Sequence, residues 1–178
     1  MERLWLKSYP PGVPADIDLN QYASLKEVIE DSCRRFADRP AYSNLGRVLT
    51  YRELEALSAR FGAWLYHEAG LSRGDRVAIM LPNLLQYPVV LFGALRAGLT
   101  VVNINPLYTA RELEHQLADS GARAIVVLEN FAHTLQRVIK KTRLETVVVT
   151  RIGDLLPFPK NWLVTLAVRH LKRMVPPW

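Results

Sequence analysis

The sequence predicts an α/β fold: a Rossmann-like, mostly parallel sheet flanked by helices, with a β-hairpin near the amino end. Three observations lead there. Short apolar runs at Val77 to Leu81, Val101 to Ile104, Ala124 to Leu128 and Thr146 to Thr150 alternate with segments of helical period. Such runs are continuous rather than alternating, which suits strands buried on both faces of a parallel sheet. Each run is also reached through a helix, and right-handed crossovers of that kind keep successive strands in one sheet.

The elements follow in order. Residues 1–23 read as an extended lead, punctuated by Pro10, Pro11 and Pro14. Residues 24–150 read as the α/β subdomain, and residues 151–178 as a basic, apolar helical tail that continues into a longer protein. Ser24 and Glu27 have capping-box spacing, in which the first side chain and the third residue satisfy each other's backbone N–H groups. The helix they open carries Leu25, Val28, Ile29, Cys33 and Phe36 on one face and stops near Pro40. Ala41 to Asn44 and Arg47 to Thr50 predict a hairpin turned at Gly46. A second capping box, Thr50 and Glu53, starts a helix bearing Leu54, Leu57, Phe61 and Leu65 and ending at Gly70.

After the first apolar strand a helix runs to Ala97-Gly98, with Pro88 in its first turn or kinking it. Thr109 and Glu112 form the third capping box, opening a helix that stops at Ser120-Gly121. A helix over Phe131 to Lys141 precedes the last strand. Asn161 to Val175 predicts a basic helix ended by Pro176-Pro177.

Composition excludes several classes. Apolar residues make up 49% and charged residues 22%, a balance that folds to a globule. Cys33 stands alone, so there is neither a disulfide framework nor a cysteine metal cluster, and a reducing, cytoplasmic setting is expected. Met1 to Lys7 lacks the apolar core of a signal peptide, and the apolar stretch Tyr87 to Leu95 is about half a bilayer span. Of the net charge of +6, residues 151–178 hold +4: Arg151, Lys160, Arg169, Lys172 and Arg173 against Asp154. The remainder shows no basic stripe interleaved with stacking aromatics, which argues against nucleic acid.

Catalytic signals are missing. Neither G-x-G-x-x-G nor G-x-x-x-x-G-K-[ST] occurs, and the glycines read as single residues at helix ends and turns. His67, His115, His133 and His170 fall on separate predicted helices, as surface positions. No nucleophile elbow, triad spacing or carboxylate pair accompanies them. The residues alone describe a scaffold with no catalytic group, no metal site and no cofactor site of its own.

Three segments do more. Leu49-Thr50-Tyr51-Arg52-Glu53-Leu54 resembles the first core motif of the adenylate-forming enzymes. Leu95 to Pro106 resembles the second, and Gly74 to Asn83 resembles that family's first long parallel strand. Within the family, Pro82 to Pro88 and Asn105 to Leu117 look like the bacterial long-chain fatty-acid:CoA ligases, and the likeness covers essentially the whole chain.

The resemblance implies an enzyme that joins ATP and a fatty acid as an acyl-adenylate, then passes the acyl group to CoA, with Mg²⁺ assisting. It places the phosphate loop, the adenine- and Mg²⁺-side segment and the catalytic lysine later in a longer protein, with no match in these residues. The chain is then expected to be an incomplete portion of the large amino-terminal domain, inactive alone, whose partner is the remainder of the ligase. The matching positions Thr50, Tyr51, Glu53, Leu54, Ala97, Gly98, Asn103, Asn105 and Pro106 are expected to serve structure, as helix caps and a left-handed helix stop.

Two alternatives stand beside this: an independent membrane-surface or partner-binding module, and an aryl-acid or other acyl-CoA ligase. Trp162 with Arg169, Lys172 and Arg173 forms a candidate surface for the inner face of the cell membrane, against the simpler reading of a helix packed on protein. An unpaired strand edge at the cut would favour a homo-oligomer, most simply a two-fold dimer.

Overall fold

The computed structural model describes residues 2–178, and these form a four-stranded parallel sheet between two layers of helix, with a separate two-stranded hairpin. The lead contains one 3₁₀ turn, Leu4–Ser8, with no buried residue. Helix α1 (Leu25–Arg35) begins at Ser24, whose hydroxyl accepts the Glu27 N–H at 3.2 Å. The expected reciprocal bond is shifted: Glu27 accepts from Ala23, one residue before the cap, because Ser24 is fully extended and turns its own N–H away. Ile29 and Cys33 are buried, whereas Leu25 is exposed, so the apolar face is narrower than the period suggests. Burial also pushes the Cys33 thiol upward in pKa, away from the reactive thiolate.

Strands β1 (Pro40–Asn44) and β2 (Arg47–Thr50) pair antiparallel through Leu45 and Gly46, both at positive φ (48° and 72°). This is the twist that a two-residue hairpin requires. Helix α2 (Tyr51–His67) follows directly from a complete Thr50–Glu53 capping box. Strand β3 (Arg76–Met80) leads to α3 (Gln86–Arg96), where Pro88 sits in the first turn and costs no intrahelical bond. Gly98 stops α3 at φ +73°, the left-handed conformation expected of it.

Strand β4 (Thr100–Asn103), helix α4 (Ala110–Ser120) with a complete Thr109–Glu112 capping box, and strand β5 (Ala124–Leu128) come next. The helix expected over residues 131–141 is broken. Only α5 (Ala132–Gln136) is α-helical, with single 3₁₀ turns at Glu129–Phe131 and Ile139–Lys141. Val138 leaves the helical region (φ −121°) and its side chain is buried, so core packing overrides the local period. Strand β6 (Thr146–Thr150) closes the series.

The sheet order is β4-β3-β5-β6. Leu65 of α2 with Val90 and Ala94 of α3 pack on one face, against Val77, Ile79, Ala124 and Val126. Leu113 and Leu117 of α4 with Leu135 of α5 pack on the other, against Ala78, Met80, Ile125 and Val127. A third cluster, Ile29, Cys33, Leu49, Leu54, Leu85 and Val89, fastens α1 and the hairpin to α2 and α3.

Two glycines depart from the helix-end reading: Gly62 and Gly93 lie inside α2 and α3. A Cβ on Gly62 would stand 2.6 Å from the Gly93 carbonyl oxygen, so the helices cross backbone to backbone. Gly153 is likewise buried, beneath the tail helix, where a Cβ would meet Asn161 and Thr165.

The tail is also shorter than predicted. Helix α6 (Lys160–Leu166) passes into a π-turn at Ala167–Leu171 and stops there. Arg173 then adopts φ +50°, and the chain reverses so that the Met174 carbonyl accepts a hydrogen bond from Asn130 at 2.9 Å. That tertiary anchor replaces the last helical turn.

Candidate functional site

In an open parallel sheet, ligands approach the carboxyl ends of strands where neighbouring connections leave to opposite faces. Here that point lies between β3 and β5, since β3 feeds α3 on one face and β5 feeds α5 on the other. The residues at this crevice are Pro82 and Asn83 after β3, and Glu129 and Asn130 after β5.

Glu129 is 1% exposed. Its Oε2 accepts from Arg169 Nε at 3.0 Å and lies 3.6 Å from Arg151 Nε. A carboxylate removed from water needs such partners. Asn130, 7% exposed, donates Nδ2 to Met174, while its Oδ1 is buried without a partner. Gln86 donates to the Arg151 carbonyl at 2.7 Å, tying the start of α3 to the end of β6. Glu129 and Asn130 were not singled out from sequence, although a polar pair directly after an unbroken apolar strand marks this position.

Nearby, between the hairpin and the start of α3, is a cavity of about 320 Å³ lined by Tyr42, Asn44, Asn83, Leu84, Tyr87 and Leu91. Burial raises the Tyr42 phenol above its ordinary pKa. A more open groove of about 480 Å³ runs between Arg47, Arg60 and Pro157.

The motif residues occupy three separate places. Thr50 and Glu53 cap α2, and the Thr50 backbone N–H, followed by Arg47, holds the Glu53 carboxyl below the usual range. Tyr51 packs on Phe36, with ring centroids 6.0 Å apart, and Leu54 is fully buried. Ala97 and Gly98 end α3, where a Gly98 Cβ would touch the Arg73 stem at 3.2 Å. Asn103 accepts the Tyr87 hydroxyl at 3.1 Å, and Asn105 caps its own turn by accepting the Leu107 N–H. Pro106, half-buried, follows in that turn. In the tail Trp162, Lys172 and Arg173 are exposed, but Arg169 is turned inward to Glu129.

These residues do not fit a nucleotide with Mg²⁺. The left-handed glycines Gly74, Gly98 and Gly121 all precede strands, at the end of the sheet opposite the crevice. The loops after β3 and β4 contain no glycine that would let backbone N–H groups cradle phosphate. Among the described residues no cluster of three His, Cys, Asp or Glu could hold a metal ion.

Comparison with known proteins agrees with the fold and extends it. The AMP-binding enzyme family matches residues 29–175. The long-chain-fatty-acid–CoA ligase of Yersinia pestis is 57% identical over 176 residues, which is 99% of this chain and 31% of that protein. The Escherichia coli O157:H7 ligase is 55% identical with the same coverage. The Bacillus subtilis ligase is 36% identical over 95% of this chain and 30% of its own length. Among solved structures, the Archaeoglobus fulgidus long-chain-fatty-acid-CoA ligase FadD1 superposes with TM-score 0.66 at 25% identity, covering 80% of this chain and 29% of that one. The anthranilate CoA ligase AuaEII superposes with TM-score 0.70 at 25% identity, covering 74% and 26%. The chain therefore spans about a third of the length of the curated relatives it matches. With a family match running through most of its length and a parallel sheet like that of the solved ligases, this chain belongs to the AMP-binding enzyme family.

Proposed function

We propose that these residues are the amino-terminal scaffold of a long-chain fatty-acid:CoA ligase, which activates a fatty acid with ATP and Mg²⁺ and transfers it to CoA. The observation that carries this is the 57% identity to the Yersinia pestis ligase over nearly the whole chain. The aryl-acid alternative rests on AuaEII at 25% identity, far below that level. The chain's own contribution is positional: a sheet, two capped helices and a switch-point crevice on which the remainder of a ligase assembles.

The chemistry then belongs to groups outside these 178 residues. Purified alone with ATP, Mg²⁺, palmitate and hydroxylamine, the chain is expected to form no hydroxamate above the buffer control. ATP-dependent hydroxamate from the pure chain would overturn the scaffold reading.

Two finer features belong to the same proposal. First, the enzyme is proposed to work in the cytoplasm, with the tail touching the inner face of the membrane. No helix is long and apolar enough to cross a bilayer among the described residues. Trp162, Leu163, Leu166 and Leu171 are exposed beside Lys172 and Arg173, a pairing suited to an anionic lipid surface. Second, β6 is an edge strand without proline or charge, and Val147 and Val149 are over a third exposed. The isolated chain is expected to pair there with a second copy. Sedimentation at micromolar and tens-of-micromolar concentration reads this directly; a single monomeric species at both would contradict it.

A further inference from the structure

We propose that residues 167–175 form a strap latched over the carboxyl end of β5 by Glu129 and Asn130, and that this latch governs both access to the β3–β5 crevice and the exposure of Arg169. The strap is held by polar contacts to those two residues. Arg169 Nε donates to Glu129 at 3.0 Å, and Asn130 Nδ2 donates to the Met174 carbonyl at 2.9 Å. Its apolar side chains contribute little, because Leu171 and Met174 face solvent and the π-turn has no buried residue. A segment with few buried apolar contacts opens locally at low cost while the sheet stays folded.

Internal geometry points the same way. The Lys172 N–H reaches back to Ala167 at 2.7 Å, and the Met174 N–H to Val168 at 2.9 Å, which folds the strap tightly on itself. Arg173 takes a left-handed conformation (φ +50°) without being glycine, a cost the closed strap carries and the open strap relieves. Glu129 and Asn130, which hold it, are almost wholly buried, at 1% and 7% exposure, and Asn130 Oδ1 has no partner. When the latch breaks and the strap unravels, Glu129 keeps only Arg151 as its cationic neighbour, the Asn130 amide loses its Met174 partner, and Arg169, already partly exposed, is freed to join Lys172 and Arg173 on the outer surface.

Hydrogen exchange on the whole chain tests the latch without any ligand. Glu129→Gln removes the charged acceptor, and Lys172 and Met174 amide protection is expected to fall by at least about tenfold, the range of one charge-assisted hydrogen bond. Val77 and Val126, in the sheet, are expected to keep their protection. Should Glu129→Gln fail to fold, Arg169→Gln cuts the same bond from its partly exposed end and is expected to give the same local loss. Unchanged strap protection in a folded variant would overturn the proposal, as would equal loss across the sheet, which would mark Glu129 as a folding residue only.

The charge consequence rests on the membrane reading above and is measured separately, with vesicles of phosphatidylcholine alone or with phosphatidylglycerol added. Glu129→Gln is expected to bind the anionic vesicles more tightly than wild type, and Arg169→Gln no more tightly. Strap opening without any vesicle binding would support the latch and refute membrane contact.

Discussion

Replacing Gly62 with alanine is expected to lower the melting temperature, although the same exchange inside an unencumbered helix gains about 1 kcal/mol. The sign reverses because α2 and α3 touch through their backbones. The new Cβ would stand 2.6 Å from the Gly93 carbonyl oxygen and 3.4 Å from its carbon, and neither atom can swing aside as a side chain would. From the other side, a Cβ on Gly93 would meet Phe61 at 2.9 Å and the Ser58 carbonyl at 3.0 Å. Relief requires the helices to separate, which loosens Leu65, Val90 and Ala94 on the sheet. Overpacking of this kind costs about 1–3 kcal/mol or somewhat more beyond the lost propensity gain. At this chain length each kcal/mol lowers the melting temperature by about 2–4 °C, so a fall of roughly 2–12 °C is expected. Gly93→Ala should behave alike, and the double variant should cost less than the sum, since one separation relieves both clashes. A raised melting temperature in either single variant would show that the crossing tolerates a methyl group.

What the sequence made legible was whatever is decided locally. The four apolar runs became the four parallel strands, because continuous burial on both faces leaves a continuous signal. Thr50–Glu53 and Thr109–Glu112 became complete caps, since both halves of the motif lie within one turn. Ser24–Glu27 had the same spacing but a different geometry, set by the extended backbone at Ser24. The misses were tertiary. Gly62 and Gly93 are 31 positions apart, and only the crossing of two helices gives their missing side chains meaning. Val138 left its helix to fill the core, and the last turn of the tail gave way to the Asn130–Met174 anchor. Glu129 was the one buried feature with a readable sign, a carboxylate at the carboxyl end of a central strand. Its partner Arg169 lies 40 residues away, beyond any local pattern. The core motifs proved to be spread over a helix cap, a helix stop and a turn, so their spacing in sequence does not describe one pocket.

The largest effect is expected when this chain is placed in a whole ligase. A chimera in which it replaces the 176 matched residues of the Yersinia pestis protein should fold, because 57% of those residues are identical and the scaffold is shared. Deleting the same residues from that ligase should instead abolish activity, as the scaffold proposal requires. Palmitoyl-CoA formation with ATP, Mg²⁺ and CoA, measured for chimera, deletion and parent together, is the most direct test of the scaffold assignment. A chimera within about tenfold of the parent is expected, a loss of no more than about 1.4 kcal/mol in transition-state stabilisation, with a deletion that yields no detectable product. A folded chimera that makes no palmitoyl-CoA, or a deletion that still makes it, would contradict the assignment.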